Sequence, residues 1–202
     1  MAVITRYCHI RQQTLREGGR IVYQDQTRSL DDFCELAFSH LGAQYPKFYK
    51  MDRTSKLGLL GVEALLRGTD VAARNSESVA LVLSNAHASL DTDLRYFETM
   101  KGIASPALFV YTLSNIVTGE ICIRHGFKGE NAFFVTEAFE PITMAGYVNS
   151  VMEKQTTSTC VAGWVEVLGE QHDVFLYLVE KSNEEQLSWP HDAETIEKLY
   201  LS

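Results

Sequence analysis

The sequence predicts an α/β domain in which helices cover the faces of a mixed sheet. Strand-like and helix-like stretches alternate along most of the chain, and the last third ends in a long hairpin pattern. A third observation is the continuous apolar run Ser78-Val79-Ala80-Leu81-Val82-Leu83-Ser84. It has no polar side to turn to water, as expected of a parallel strand buried on both faces.

Val3 to Arg11 alternates as a strand, and a Gly18-Gly19 turn leads to a second strand, Arg20 to Gln24. Ser29 is suited to cap a helix, with Asp31 and Asp32 in its first turn. Leu30, Phe33, Leu36, Ala37 and Leu41 give helical spacing up to Gly42. A second helix starts around Met51 to Lys56, places Leu57, Leu60, Ala64 and Leu65 on one face, and stops near Gly68. Gly58 and Gly61 cost helix propensity, so their presence predicts close packing against another backbone. After the apolar strand, Ser89 to Leu94 opens a short amphipathic helix, and Ser105-Pro106 marks another helix start. From there to His125-Gly126 almost every side is apolar. The stretch reads either as one helix buried all round or as a loop followed by a shorter helix. Ala132 to Thr136 is a strand and Pro141 to Glu153 a helix. Thr157 to Leu168 and Val174 to Glu180 form the hairpin, turning at 169–173. The tail from Ser182 is polar until Ile196, Leu199, Tyr200 and Leu201, which suit a last docked segment.

With 202 residues, 46% hydrophobic and 22% charged, the chain fits one soluble globular domain. A net charge of -8 argues against a broad nucleic-acid or anionic-membrane surface. The basic run Lys47, Lys50, Arg53, Lys56 reads as the solvated start of a helix. Neither a signal peptide nor an apolar stretch of membrane-spanning length is present in the sequence. Cys8, Cys34, Cys122 and Cys160 are widely spaced and unaccompanied by clustered histidines. This predicts structural thiols, no metal, no cofactor and a cytoplasmic setting.

Two segments carry a family resemblance. Phe48-Tyr49-Lys50-Met51-Asp52-Arg53-Thr54-Ser55-Lys56-Leu57 resembles the phenylalanine-x-x-methionine-aspartate-arginine helix start of β-ketoacyl-carrier-protein synthases. Ser105-Pro106 with Asn115 to Asn131 resembles that family's central helix and the glycine-x-asparagine turn after it. The resemblance covers about Phe48 to Glu180 and implies residues 1–202 as one β-ketoacyl synthase-like amino-terminal domain. Its fold would be a single thiolase-like βαβαβαββ half with a mixed five-stranded sheet.

The departures bear on chemistry. In that family the strand after the glycine-x-asparagine turn leads to a nucleophilic cysteine. Counting from Gly129 puts Ala138 at that position, and a one-residue slip puts Glu137 or Phe139 there. None can form an acyl thioester. The family's histidines, or histidine and lysine, belong to a second half that lies beyond the matched segment. Glu137 remains a candidate acid or base with a raised pKa, against a bland role as a carboxylate capping the next helix. His87 follows the apolar strand, where ligands bind in α/β folds, against the bland reading of a surface loop histidine; Ser84, Asn85 and Ser89 read as caps. His125 reads as a cation at a helix end. Cys122 and Cys160 read as core thiols rather than nucleophiles.

The resemblance also implies that the central helix is covered by its counterpart in a full enzyme. An apolar helix without that cover predicts a homodimer, a heteromer with a full-length ketosynthase, or a tail from Trp189 to Leu201 folded over it. The function implied is a non-catalytic ketosynthase-like subunit of bacterial fatty-acid or polyene-type lipid synthesis, with an acyl carrier protein as a further partner. The alternative is a residual acyl-handling enzyme, an acyltransferase, decarboxylase or thioesterase using Glu137 and a histidine.

Overall fold

The computed structural model describes residues 2–181 and 188–202, with the backbone alone at Ala72. The polar stretch predicted from Ser182 to Leu187 lies outside the described residues. The strands are β1 (Ala2–Arg11), β2 (Thr14–Glu17), β3 (Arg20–Gln24), β4 (Val79–Asn85), β5 (Asn131–Val135), β6 (Thr159–Leu168), β7 (Gln171–Lys181) and β8 (Trp189–Pro190). They form one mixed sheet in the order β3-β2-β1-β7-β6-β4-β5, with β8 paired to β1. β4 runs parallel to β5 and β6, and the other pairings are antiparallel.

The sheet therefore has eight strands among the described residues, where five were expected. Strands β5, β4, β6, β7, β1 and β3 were read as strands from the sequence, while β2 and β8 are additional. The physical reason is the turn at Gln12 and Gln13, both at positive φ (48° and 49°). Two consecutive left-handed residues are what a tight two-residue hairpin requires, and glutamine gives little sign of it in sequence. β1 thus turns directly into β2, and Gly18-Gly19 turns β2 into β3.

The helices are α1 (Leu30–His40), α2 (Arg53–Leu66), α3 (Leu90–Thr99), α4 (Pro106–Phe109), α5 (Ile116–His125), α6 (Pro141–Glu153) and α7 (Ala193–Leu201). Side-chain caps fix several starts: Ser29 accepts from Asp32 N, Asp52 from Ser55 N, Ser105 from Leu108 N and Asp192 from Thr195 N. Gly126, at φ 71°, ends α5.

One core joins α1, α2 and α5 to one sheet face, through Phe33, Phe38, Leu57, Leu60, Ile121 and Val165. The other joins α6 and α7 to the opposite face, through Met144, Val148, Trp164, Tyr177 and Ile196. The helix buried all round is α2, not the stretch 105–126. That stretch takes the loop-and-shorter-helix form, because Val117 and Ile121 pack on α2 while Ile123 stays exposed. The expected close approach at the α2 glycines is present. A Cβ at Gly58 would lie 2.5 Å from Val117 Cγ2, and one at Gly61 would lie 2.8 Å from Leu176 Cδ1, so both meet side chains rather than backbone.

The tail does not cover α5. α7 docks on α6, across the sheet, with Ile196 and Leu199 buried.

Candidate functional site

The predicted site residues meet at the carboxyl end of the parallel strands. Thr136 N donates to Asn85 O at 3.0 Å and so holds the end of β5 beside the end of β4. Thr136 Oγ1 then donates to Ala138 O at 2.8 Å, shaping the bend that carries Glu137 and Ala138 outward. Both are exposed. Glu137 makes no side-chain hydrogen bond among the described residues, and the N-cap of α6 is Glu140. Phe139 turns inward and is buried against Tyr200, Phe175 and Trp164, with ring centroids 4.7, 5.6 and 6.0 Å away.

The neighbouring loop after β4 is tightly held. Asn85, itself buried, accepts from Ala88 N and donates to Ala88 O, at 3.0 and 2.9 Å. Ala88 has φ 51°, a left-handed conformation that costs an alanine free energy. Glu166, on β6, accepts from Ala86 N and His87 N and bonds His87 Nδ1 at 2.7 Å. His87 is thus a half-exposed imidazole oriented by a carboxylate. Ser89 stands at the N-cap of α3 as expected, but its hydroxyl donates to the Asp93 carboxylate rather than accepting from a helix amide, and Ser84 donates to Gly163 O.

No thiol stands at this end as a nucleophile. Burial pushes Cys8 and Cys34 up to about 12 and Cys160 and Cys122 above the ordinary thiol range, as inert core thiols require. His125 also departs from expectation. Burial holds its pKa below the usual value, despite Glu63 3.8 Å away, so Arg124 rather than His125 is the cation in the last turn of α5.

The basic run is not a solvated face either. Lys56 is buried and donates to Glu35 at 2.8 Å, Arg53 pairs with Asp31 and Glu170, and Lys47 reaches the buried Glu120 at 2.8 Å. Tyr111 Oη donates to the other oxygen of Glu120, and Thr92 Oγ1 donates to Asp52 at 3.0 Å. Burial raises the Asp52 pKa against these hydrogen bonds.

Sequence reasoning missed the orientation of α3. Its buried positions are polar: Asp91 accepts from Gly169 N at 2.8 Å, and Thr92 reaches Asp52. Its apolar side chains Leu94, Phe97 and Met100 are 53%, 60% and 56% exposed. α4 continues the surface, with Tyr96 against Phe109 at 5.5 Å and with Val110 and Leu113 also exposed. An amphipathic helix turned inside out leaves its apolar stripe in water. The i, i+3 and i+6 spacing of Leu94, Phe97 and Met100 was visible in sequence; the direction it faced was not. Among the described residues no helix is long and apolar enough to cross a membrane.

No protein-family model and no curated protein matches the sequence. Solved structures do match in shape. The ishigamide ketosynthase/chain length factor aligns with a TM-score of 0.65 and 15% identity, over 93% of this chain and 64% of that one. A complex of the ketosynthase ApeO with its chain length factor ApeC, from Xenorhabdus doucetiae, aligns at 0.57 and 12%, over 99% of this chain and 90% of that one. A β-ketoacyl synthase from Burkholderia phymatum STM815 aligns at 0.59 and 14%, over 90% and 59%. The chain thus spans less than two thirds of the length of the first of these. At such identities the likeness is one of fold, and the chain carries the thiolase-like α/β fold of ketosynthases and chain length factors.

Proposed function

We propose that this chain is a non-catalytic ketosynthase-like subunit, a single domain that pairs with an active ketosynthase. Its setting would be bacterial fatty-acid or polyene-type lipid synthesis in the cytoplasm, with an acyl carrier protein as a further partner. The observation that carries the reading is the apolar surface of α3 and α4. Large exposed apolar patches on soluble proteins mark interaction sites, and this one is built from a helix anchored by its polar side. The outer edge of β5 adds a row of backbone groups with no strand partner among the described residues. The exposed methyl of Ala138, where the resemblance puts a nucleophile, supports the absence of condensing activity in this chain. The test is co-purification with a ketosynthase encoded beside it. A stoichiometric complex that Phe97→Glu abolishes is the expected result; no association of the wild-type chain with any neighbouring ketosynthase would overturn it.

One observation favours a second reading, of a residual acyl-handling enzyme. The Glu166-oriented imidazole of His87 stands at the strand ends with Nε2 directed away from its carboxylate. Hydrolysis of acyl- or malonyl-carrier protein by the purified chain, lost in His87→Gln, would favour this reading over the first.

A further inference from the structure

The fold assembles a basic surface that no basic run in the sequence announces. A groove of about 690 Å³ is lined by Arg6 on β1, Arg20 on β3 and Arg67 at the end of α2. Ile21, Tyr7 and Trp189 form its apolar side, the two aromatic rings meeting edge-on at 5.6 Å. Arg67 also lines a second cavity, of about 570 Å³, which holds Arg124, His125 and Glu63. The two therefore adjoin.

Among the described residues, the charges along this surface do not cancel. Glu17 is shared by Arg6 and Arg67, each at 3.3 Å, and Glu63 is taken by Arg124 at 2.7 Å. Four guanidinium groups among the described residues face two carboxylates, on a chain whose net charge is -8. Cations at helix ends often serve only to complement the helix dipole, and Arg6 does so by donating to Arg67 O at 2.8 Å. Arg20 has no such duty. It stands on a hairpin strand, exposed at the groove wall, with no ion pair among the described residues.

We infer that this surface is a docking groove for an acidic polypeptide segment that carries apolar residues between its carboxylates. Two adjoining grooves fit an extended chain better than one small anion. An exposed isoleucine and an aromatic wall beside the arginines select a ligand that is apolar as well as anionic. A nucleic acid would bring a continuous line of phosphates but no aliphatic side chains to set against the exposed Ile21. The inference stands independently of the subunit reading above.

Fluorescence anisotropy with a labelled peptide of alternating glutamate and leucine tests it on the whole chain. Saturable binding is expected at low salt, weakening steeply by ~0.3 M salt. The double variant Arg20→Glu, Arg67→Glu should bind about tenfold or more weakly. Arg20→Glu alone, at an exposed position, should lose affinity with thermal unfolding unchanged, which guards against a misfolded double variant. Absence of saturable binding, unaltered affinity in Arg20→Glu, or equal competition by oligothymidine of matched charge would overturn the assignment. Pairing with a ketosynthase should be untouched by these substitutions, so the two readings fail separately.

Discussion

Val117 is β-branched and fully buried, and it lies 2.5 Å from where a Cβ at Gly58 would stand. It has little rotamer freedom with which to yield. Gly58→Ala should therefore cost about 1–3 kcal/mol in overpacking, offset by at most about 1 kcal/mol of helix propensity. Urea denaturation should show a lower midpoint with an unchanged slope; a raised midpoint would mean that α5 shifts freely. His9 and His191 set a second expectation. Both are buried and their pKa values are lowered to about 4, chiefly by desolvation. A histidine depressed from 6.5 binds its proton more readily when the chain is unfolded. Its stabilisation is thus complete above about pH 6.5 and is lost as pH falls through about 4. Each can contribute up to about 3 kcal/mol of that loss. Unfolding midpoints should fall steadily from pH 7 to 4, and His191→Gln should flatten part of the slope; an unaltered slope would count against the buried neutral form. At this scale the sequence disclosed residue types and spacing, which sufficed for Gly58 and for the buried thiols. It could not disclose that Lys56 is buried beside Glu35, because that pairing depends on how α1 lies against α2.

Helix α3 shows how an element can be predicted correctly and still be misunderstood. Its start at Ser89 and its amphipathic character were legible, yet periodicity is blind to which face meets the protein. The inward face is polar because Asp91 supplies an acceptor to Gly169 N and Thr92 a donor to Asp52. Phe97→Glu should leave monomer stability within about 0.5 kcal/mol of wild type, as expected of an exposed position. Circular dichroism melts compared with the pairing assay would separate the two effects. Helix α7 behaves in the opposite way. Its Ile196 and Leu199 are inserted against α6, and Tyr200 meets Phe139 at a tilt and Phe175 edge-on. Removing residues 193–202 should cost about 3–6 kcal/mol of apolar burial and should uncover the aromatic layer to a hydrophobic dye. A truncated chain that melts like the full one would show that α7 only rests on the sheet. The β1–β2 hairpin was illegible for a local reason: Gln12-Gln13 takes a left-handed turn that glycine or asparagine usually signals.

For the whole molecule, the α/β class and the sheet's central strands followed from the buried run 78–84 and the terminal hairpin. Strand β3 was also read from the sequence, whereas β2, β8 and the placement of α7 were not: β2 hides behind the Gln12-Gln13 turn, and β8 pairs with the distant β1. A surface carrying Leu94, Phe97, Met100, Phe109 and Leu113 in water should make the chain self-associate when purified alone. Light scattering should report a mass above the 22.7 kDa of one chain at micromolar concentration, returning to one chain in Phe97→Glu. A monodisperse monomer of the wild type would exclude that behaviour. The pairing of β1 with β7 has a further consequence, for biogenesis. β1 leaves the ribosome well before its neighbour on one side, Gln171–Lys181. Until then, the β1–β3 hairpins at residues 2–24 have an uncovered flank, and the sheet cannot close. Loop closure over so long a separation is slow. Nascent chains arrested before residue 171 should therefore be protease-sensitive throughout, with resistance arriving in one step once synthesis passes the final strands.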